Sequence, residues 1–582
     1  MLAALAPFVV FGLCAVPWVL LITPRYGARL AVVTVVTAAP LLVLAALTLS
    51  GALQVSPIVT VLVLSAVVGG LGGVLLRRSR PRLPTVTRSL PWLAAGLGGV
   101  VWLVVVAVAY LVPGADPLSW AMSGDGANNI HHARFHLADD GILADRGITV
   151  PLVSALLAVA ISIGRPDSGA SAMLANDLVG LSTLFALGLA VTSTLIGVVA
   201  SSLVSRGRAL LAAGASLLGA TWLVAGLPIE SGYLNGPISI SLLLLAWLAF
   251  LEARRAPVYS LALQLAISIL VMTTWTPLVL VSVALLFVTL MRSWVVVRVL
   301  RGSAAVPIVA AVIVIVAVTA VTLAPAFVNN SSVFATEGHG FPPTIGILAA
   351  AAAVALVLAV VRRREQPGLL DGAVALVVAS IAGMAALLGL ASQNPDPFGS
   401  YYPAKIGWML AVLLSVVALS LALAAVNRRV AVVVIAATIG AASLGPVPAR
   451  EYNPVAPPLV RILAGGVWHA GDHSARLIID NVGENTILYR SGEPDEAFIN
   501  FWLLEFGKGA MDGDGALRGF SFAGYRELRD TGSSQPVTLE ELCSLLPLLE
   551  PDAVVLTGDH TVREQIATAC DASDTTVRVL PG

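Results

Sequence analysis

Long apolar runs alternate with short polar turns over residues 1–446. A bilayer is crossed by a helix of about 20 apolar residues. The pattern therefore predicts about 14 membrane spans, at about 1–23, 29–50, 56–76, 91–113, 172–203, 209–227, 236–252, 258–273, 275–291, 304–326, 344–361, 369–391, 405–425 and 430–446. The pair within 258–291 is also compatible with one re-entrant feature. The first run lacks the basic start and the cleavage site of a signal peptide, which favours a membrane helix.

The apolar run at 149–163 is predicted to lie at the membrane surface or to re-enter the membrane, without spanning it. If it spanned, every later arginine cluster would move to the opposite side. Without that span, the arginines at helix ends gather on one side, which the positive-inside rule identifies as the cytoplasm. They are Arg25, Arg29, Arg77, Arg78, Arg80, Arg82, Arg88, Arg206, Arg208, Arg254, Arg255, Arg292, Arg298, Arg301, Arg362, Arg363, Arg364, Arg428 and Arg429. Both termini are then expected outside.

The composition agrees with a multi-pass protein of a plasma membrane. The chain is 58% hydrophobic and 11% charged, with a mean hydropathy of +0.92, which is typical of polytopic helical membrane proteins. The formal net charge is zero, so no attraction to nucleic acid is indicated. Lysine is rare beside arginine, as in GC-rich bacterial genomes such as those of actinobacteria. No Walker motif is present, which argues against an ATP-driven pump.

Residues 447–582 have the pattern of a small α/β domain outside the membrane. The segments ARLIIDNV and DAVVLTGD are predicted strands, and LEELCSLLPLLE is a predicted amphipathic helix. No GxGxxG motif follows either strand, so nucleotide binding is not indicated. Cys543 and Cys570 form one disulfide or remain two buried thiols; the spacing allows both.

A polar segment at 119–146 interrupts the apolar runs on the predicted outer side. It reads SWAMSGDGANNIHHARFHLADDGILADR and concentrates carboxylates, amides, imidazoles and a guanidinium in one loop. Asp125 stands before a predicted helix, whose dipole favours an ionised carboxylate ready to accept a proton. An Asp between glycines is also a common turn former. We therefore weigh a catalytic base against a turn residue at this position.

Lys405 is the only lysine of the membrane region, and it follows Tyr401 and Tyr402 at the outer end of a predicted span. Ionisable groups at such depth usually serve function. A phosphate at headgroup depth is its simplest partner, with the tyrosines donating hydroxyls or stacking on a sugar. The alternative is a snorkelling lysine within an aromatic belt.

Further candidate site residues lie in the outer loops. His131, His132 and Arg134 are predicted to contact the donor phosphate or sugar. His132 and His136 have a spacing that a metal can use, but a third ligand is missing, so hydrogen bonding is favoured and no metal is predicted. The predicted residues of the acceptor site or cavity wall are Asn128, Asn129, His136, Glu230, Glu337, His339 and Asp396.

The arrangement of Asp125 with its helix, the YYPAK segment, the run at 149–163 and the small final domain resembles the GT-C class of membrane glycosyltransferases. It is most similar to actinobacterial arabinofuranosyltransferases of the cell wall. The resemblance implies a GT-C-like fold and a polyprenyl-phosphate sugar as donor. It also implies a cell-envelope glycan as acceptor, Asp125 as general base and inversion at the anomeric carbon. No cofactor is required, because lipid phosphate leaves readily once its charge is paired.

Two other classes of function remain open at this level. A transporter or flippase for a lipid-linked sugar would share the phosphate site, but it would need polar residues along the spans. The spans here are almost purely apolar, and their polar groups gather on one side. A non-catalytic scaffold for envelope synthesis is the third class, and it leaves the polar segment around Asp125 without a purpose.

Overall fold

The computed structural model describes most of the chain. The described residues are 1–79, 86–123, 125–143, 148, 150–166, 169–204, 207–299, 313, 345–364, 368–392, 394, 396–444, 458–465, 471–507, 537–549, 553–570 and 575–580. The predicted site residues Glu337 and His339 and the predicted span at 304–326 lie outside this set, apart from residue 313. Of Glu230, only the backbone is described.

All the regular elements described in the first part of the chain are helices. Its helices are α1 Leu2–Tyr26, α2 Ala28–Leu53, α3 Pro57–Ser79, α4 Val86–Ala95, α5 Leu97–Ala109, α6 Gly126–Ala138, α7 Leu152–Ser162, α8 Ala170–Ala200, α9 Arg208–Ser216, α10 Leu227–Ser231, α11 Asn235–Glu252, α12 Pro257–Trp275, α13 Val279–Val299, α14 Ile345–Arg362, α15 Leu369–Leu390, α16 Tyr401–Ala425 and α17 Arg428–Leu444. Among the described residues, eight segments are long and apolar enough to cross a membrane. A bent pair, Arg208–Ala220 with Trp222–Ile229, raises this number to nine.

One of these eight segments, Pro257–Trp294, folds back on itself. Gln264 in α12 donates to the Thr289 hydroxyl in α13 at 2.9 Å. A straight helix would separate these two residues by about 37 Å, at 1.5 Å per residue. The segment is therefore an antiparallel hairpin whose tip lies at Thr276–Leu278, and we count α12 and α13 as two helices.

The helices place opposite kinds of residue at the two ends of the bundle. At one end, here called the arginine end, Arg29 and Arg255 contact Glu252, while Arg362 donates to the Ala424 carbonyl. At the other, the polar end, the segment at 119–146 meets the C-terminal end of α2. There the Ile142 amide donates to the Leu47 carbonyl at 3.1 Å. The hairpin tip of α12 and α13 and the start of α16 also lie at the polar end.

Helix α7 occupies the apolar run for which no span was predicted. It has 11 residues and is about 16 Å long, roughly half the thickness of a bilayer core. Every residue from Leu152 to Ile161 is buried, and the helix packs against α1, α2, α6 and α8. Helix α7 is therefore enclosed by protein, and it packs against α6 of the polar segment.

The C-terminal part forms a small parallel sheet with helices. Its elements are α18 Pro458–Ala464, α19 Asp472–Asn481, β1 Asn485–Leu488, α20 Glu496–Phe506, α21 Leu539–Leu549, β2 Ala553–Thr557, α22 Val562–Ala569 and β3 Thr576–Val579. The described strands pair in the order β1-β2-β3, all parallel, with Ile487 opposite Val555 and Val555 opposite Val577. The chain is thus a helical polytopic bundle followed by an α/β unit.

The predictions for this α/β unit are correct in two places and wrong in one. DAVVLTGD contains β2, and LEELCSLLPLLE forms α21. The segment ARLIIDNV is not a strand, because most of it belongs to α19, where Ala475 and Ile478 are buried at helical spacing. The first strand follows at Asn485–Leu488. Cys543 and Cys570 form a disulfide that joins α21 to the end of α22.

The α/β unit docks directly on the polar end of the bundle. The Trp502 indole in α20 donates to the Met122 carbonyl at 2.7 Å. The Asp116 amide donates to the Ile462 carbonyl at 2.8 Å. Burial raises the pKa of the Asp116 carboxyl to about 6 at this contact. The described part of the polar segment therefore lies between the apolar helices and the final domain, with some of its side chains exposed.

Candidate functional site

Asp125, Tyr401 and Lys405 form a closed triangle of hydrogen bonds at the polar end. One carboxylate oxygen of Asp125, Oδ2, accepts a hydrogen bond from the Tyr401 hydroxyl at 2.6 Å and from Lys405 Nζ at 2.8 Å. Lys405 Nζ also donates to the Tyr401 oxygen at 2.9 Å. Tyr401 and Lys405 are four residues apart on α16 and so share a helix face. The carboxylate is held from one side by a single helical turn.

Aromatic rings enclose the ammonium group of Lys405. Its Nζ lies 3.5 Å from the ring centre of Tyr233 and 3.9 Å from that of Trp275, distances at which a cation is attracted to the ring face. The side chain of Lys405 is only 1% exposed. Burial and the nearby Asp125 carboxylate raise the pKa of Tyr233, so its hydroxyl stays protonated. The charge of Lys405 is therefore satisfied by Asp125 and the rings, with almost no water.

Backbone contacts fix Asp125 between two elements. It occupies the N-cap position of α6, but its side chain makes no capping hydrogen bond. Its amide donates to the Ser231 carbonyl at 3.3 Å. Gly232, which follows Ser231, has a φ of 66°, and a Cβ at this position would collide with the Ser123 carbonyl. This close approach requires glycine. The Asp125 carboxylate therefore leaves the start of α6 uncapped and contacts α16 instead.

The second carboxylate oxygen of Asp125 remains open. Among the residues that the structure describes, Oδ2 takes both side-chain hydrogen bonds, and none is made to Oδ1. The Asp125 side chain is 31% exposed. Asn129 donates to the Asp125 carbonyl at 2.9 Å, while Asn128 is exposed. A ligand hydroxyl can thus reach Oδ1 without displacing Lys405 or Tyr401.

The opposite face of α6 is used to hold the α/β unit. Arg134 pairs with the buried Asp177 at 2.7 Å and lies 4.9 Å above the Phe506 ring. His131 stacks on the same ring at 4.4 Å, and its Nε2 lies 3.0 Å from Glu505. The approach to Glu505 is close enough for an ion pair but is not aligned as a hydrogen bond. His131 and Arg134 are therefore interface residues and do not line the Asp125 site.

The two remaining histidines of α6 differ in exposure, since His136 is buried and His132 is half-buried. His136 shares a hydrogen bond with the Ser154 hydroxyl of α7 at 3.0 Å. Burial lowers its pKa to about 4, so the ring is neutral near pH 7. Burial and His131 also lower the pKa of the half-buried His132. Within the described part of the chain, no group of three His, Cys, Asp or Glu side chains is placed to hold a metal.

The structure sorts the predicted site residues into separate places. Asp125, Lys405 and Tyr401 meet directly, and Tyr402 packs against Tyr401 and Trp275. Asp396 is exposed in the loop before α16, and its hydrogen bonds to described residues are made by its backbone. Trp275 and Glu505 were not predicted. Trp275 lies in an apolar run where its sequence position gives no signal, and Glu505 lies in the final domain, far along the chain.

No family model, curated protein or solved structure matches the chain. The GT-C resemblance therefore rests on the sequence features given above. A functional conclusion has to come from the geometry of the site.

Proposed function

We propose that the protein is an inverting glycosyltransferase of GT-C type, acting at the extracytoplasmic face of a bacterial plasma membrane. The proposed donor is a polyprenyl-phosphate sugar, with arabinofuranose as the candidate sugar, and the acceptor is a cell-envelope glycan. One observation carries the proposal. Lys405 and Tyr401 fix a single oxygen of Asp125 and leave the other open at the end of an apolar bundle. This geometry suits a general base.

The proposed reaction is a single displacement. The acceptor hydroxyl oxygen bonds to the anomeric carbon while the bond from that carbon to the phosphate oxygen breaks. The hydroxyl proton passes to Oδ1 of Asp125, and the electron pair of the broken bond leaves with the lipid phosphate. Attack opposite the leaving group inverts the anomeric centre. The ion pair with Lys405 also holds the Asp125 carboxylate in one orientation. Rotation of the Asp125 side chain would separate two opposite charges where little water is present to solvate them.

The role of Lys405 in this proposal differs from the one that its sequence position suggested. Its ammonium is 1% exposed and is surrounded by Asp125, Tyr233 and Trp275. A phosphate cannot approach it while these groups are in place. We assign Lys405 as a positioning residue that orients Asp125. His132 and Tyr402, which are only half-buried, are better placed for contact with the donor.

The distribution of polar groups supports an enzyme over a transporter. Asp125, Lys405 and the polar segment all lie at one end of the bundle. A transport path would need comparable groups along the spans. Helix α16 is an example. From Lys405 towards the arginine end, the first buried serine or threonine of this helix with a hydrogen bond is Ser420, which donates to the Val199 carbonyl. The two are about 22 Å apart along the helix.

The proposal is tested by assaying transfer with the full-length protein in lipid nanodiscs. The assay offers a panel of polyprenyl-phosphate sugars, including the arabinofuranosyl donor, with a short envelope-type oligosaccharide as acceptor. We expect a lengthened oligosaccharide with an inverted linkage and release of polyprenyl phosphate. Movement of intact donor between leaflets of proteoliposomes, without any transfer, would establish the flippase instead.

We predict that the polar end lies outside the cell. The arginine distribution supports this orientation, as does the Cys543–Cys570 disulfide of the docked final domain, since disulfides persist in oxidising compartments. In a Cys14→Ala background, a cysteine replacing Gln54 should react with an impermeant maleimide in cells stripped of their outer barrier. A cysteine replacing Ser79 should react only after lysis. The reverse labelling pattern would place the Asp125 site in the cytoplasm.

A further inference from the structure

Two cavities share part of their lining, and the smaller one lies at the arginine end. One, of ≈ 480 Å³, lies between α1, α2, α3 and α12 and is lined by Arg25, Arg78, Ser79 and two tyrosines as well as by apolar side chains. The other, of ≈ 550 Å³, is almost wholly apolar and lies between α1, α2, α3, α8 and α11. Trp18 and Thr34 line both. The two cavities therefore adjoin at these two side chains. We call the first, which carries the arginines, the polar mouth and the second the apolar interior.

The polar mouth carries two guanidinium groups that lack a counter-charge among the described residues. Arg25 and Arg78 are both exposed, and neither makes an ion pair with another described residue. Their neighbour Arg29 differs, because it is paired with the buried Glu252. The other wall is preformed: Tyr26 stacks on Tyr259 with ring centres 4.7 Å apart. The mouth thus offers two guanidinium groups that no described carboxylate pairs with, beside two stacked aromatic rings.

The apolar interior has room for a chain. Phe8, Phe11, Leu184 and Leu242 are among its lining residues. Gly12 also lines it, and a Cβ built there would meet no atom within 4 Å. Its apolar lining offers water few hydrogen-bond partners, so an apolar group is the favoured occupant. Inside a membrane, the most abundant apolar groups are the hydrocarbon chains of lipids.

We propose that this space is a binding site for an anionic phospholipid of the leaflet at the arginine end. The phosphate lies between Arg25 and Arg78, since guanidinium groups bind phosphate oxygens in pairs. One acyl chain enters the apolar interior past Trp18. The proposed phosphate position is separate from Asp125, because α2 extends for 26 residues, about 39 Å, between the two ends of the bundle. It does not depend on the proposed transferase activity.

The test is native mass spectrometry of the detergent-solubilised full-length protein during titration with dioleoyl phosphatidylglycerol. We expect one tightly bound phosphatidylglycerol. Dioleoyl phosphatidylcholine should bind more weakly, because its zwitterionic headgroup carries no net charge. The double variant Arg25→Gln/Arg78→Gln should lower phosphatidylglycerol affinity about ten-fold or more, since each arginine near an anionic lipid contributes several-fold. Gly12→Leu should lower it as well by filling the interior, and it favours the helix locally.

The matched control is Arg77→Gln, which removes an exposed arginine of α3 that does not line the polar cavity. It should leave the lipid affinity unchanged. An equal loss in Arg77→Gln would reduce the effect to general charge attraction and overturn the proposal. So would unchanged binding in both the double arginine variant and Gly12→Leu. Displacement of the lipid by glycerol 3-phosphate alone would show an anion site without a chain site, which also contradicts it.

Discussion

Asp125→Asn is expected to remove nearly all glycosyl transfer while leaving a folded protein. The amide oxygen can still accept the hydrogen bonds from Tyr401 and Lys405, but the side chain can no longer take a proton. Loss of a general base lowers the rate by about 100- to 10,000-fold. Some stability should also be lost, because the buried ammonium of Lys405 then lacks a counter-charge. The measurements are initial rates of transfer and the thermal unfolding temperature.

Asp140→Asn is the matched control for this variant. It makes the same chemical change in the same polar segment, and Asn tolerates the positive φ of 53° at this position. Asp140 contacts Ser50 through its backbone carbonyl, which the substitution keeps. We expect wild-type transfer in Asp140→Asn. Transfer near the wild-type rate in Asp125→Asn itself would exclude Asp125 as the base and leave it a structural role beside Lys405.

The sequence indicated both partners of the central ion pair but not that they pair. Asp125 and Lys405 stood out because each is an ionisable residue among apolar runs. They are 280 residues apart, and no local rule connects positions at that separation. Tyr401 and Lys405 are four residues apart, a spacing that places both on one face of a helix. The aromatic enclosure could not be predicted, since Trp275 depends on where the α12–α13 hairpin places its tip.

The polar face of α6 shows a second limit of sequence interpretation. Its polar residues were all assigned to the ligand, since their partners were unknown. The helix in fact divides them: Asp125 and Asn129 lie on the open side, while His131 and Arg134 face the α/β unit. Helical periodicity separates these two faces correctly. It does not tell which face meets a buried carboxylate such as Asp177, 43 residues away along the chain.

The error at ARLIIDNV has a simpler physical cause. Three adjacent apolar residues, Leu477 to Ile479, are too few to distinguish a strand from one side of a short helix. The pairing partners decide the outcome. Strand β1 pairs with β2 in a four-residue register that begins at Asn485, and α19 packs against α20 and α8 instead. The correct α/β class thus emerged from a pattern with one element wrongly placed.

Lys405→Met is the second variant with a large expected effect, because it removes the ammonium while keeping an unbranched side chain of similar length. Asp125 then keeps only the Tyr401 hydrogen bond and can rotate. The fold should survive, since the Asp125 side chain is 31% exposed and water can solvate the unpaired carboxylate. If Lys405 positions the base, kcat should fall by about 100-fold or more. The donor affinity should change little, and Lys405→Arg should retain part of the rate.

A double-mutant cycle distinguishes positioning from independent phosphate binding. If Lys405 acts only through Asp125, the double variant Asp125→Asn/Lys405→Met should be scarcely slower than Asp125→Asn alone, because residues that act as a unit are strongly non-additive. Donor affinity is measured in parallel by equilibrium binding of the polyprenyl-phosphate sugar. A Lys405→Met protein with normal kcat and about ten-fold weaker donor binding would show that Lys405 binds the donor phosphate. Loss of an interaction that is equal in the ground state and the transition state weakens affinity and leaves kcat unchanged.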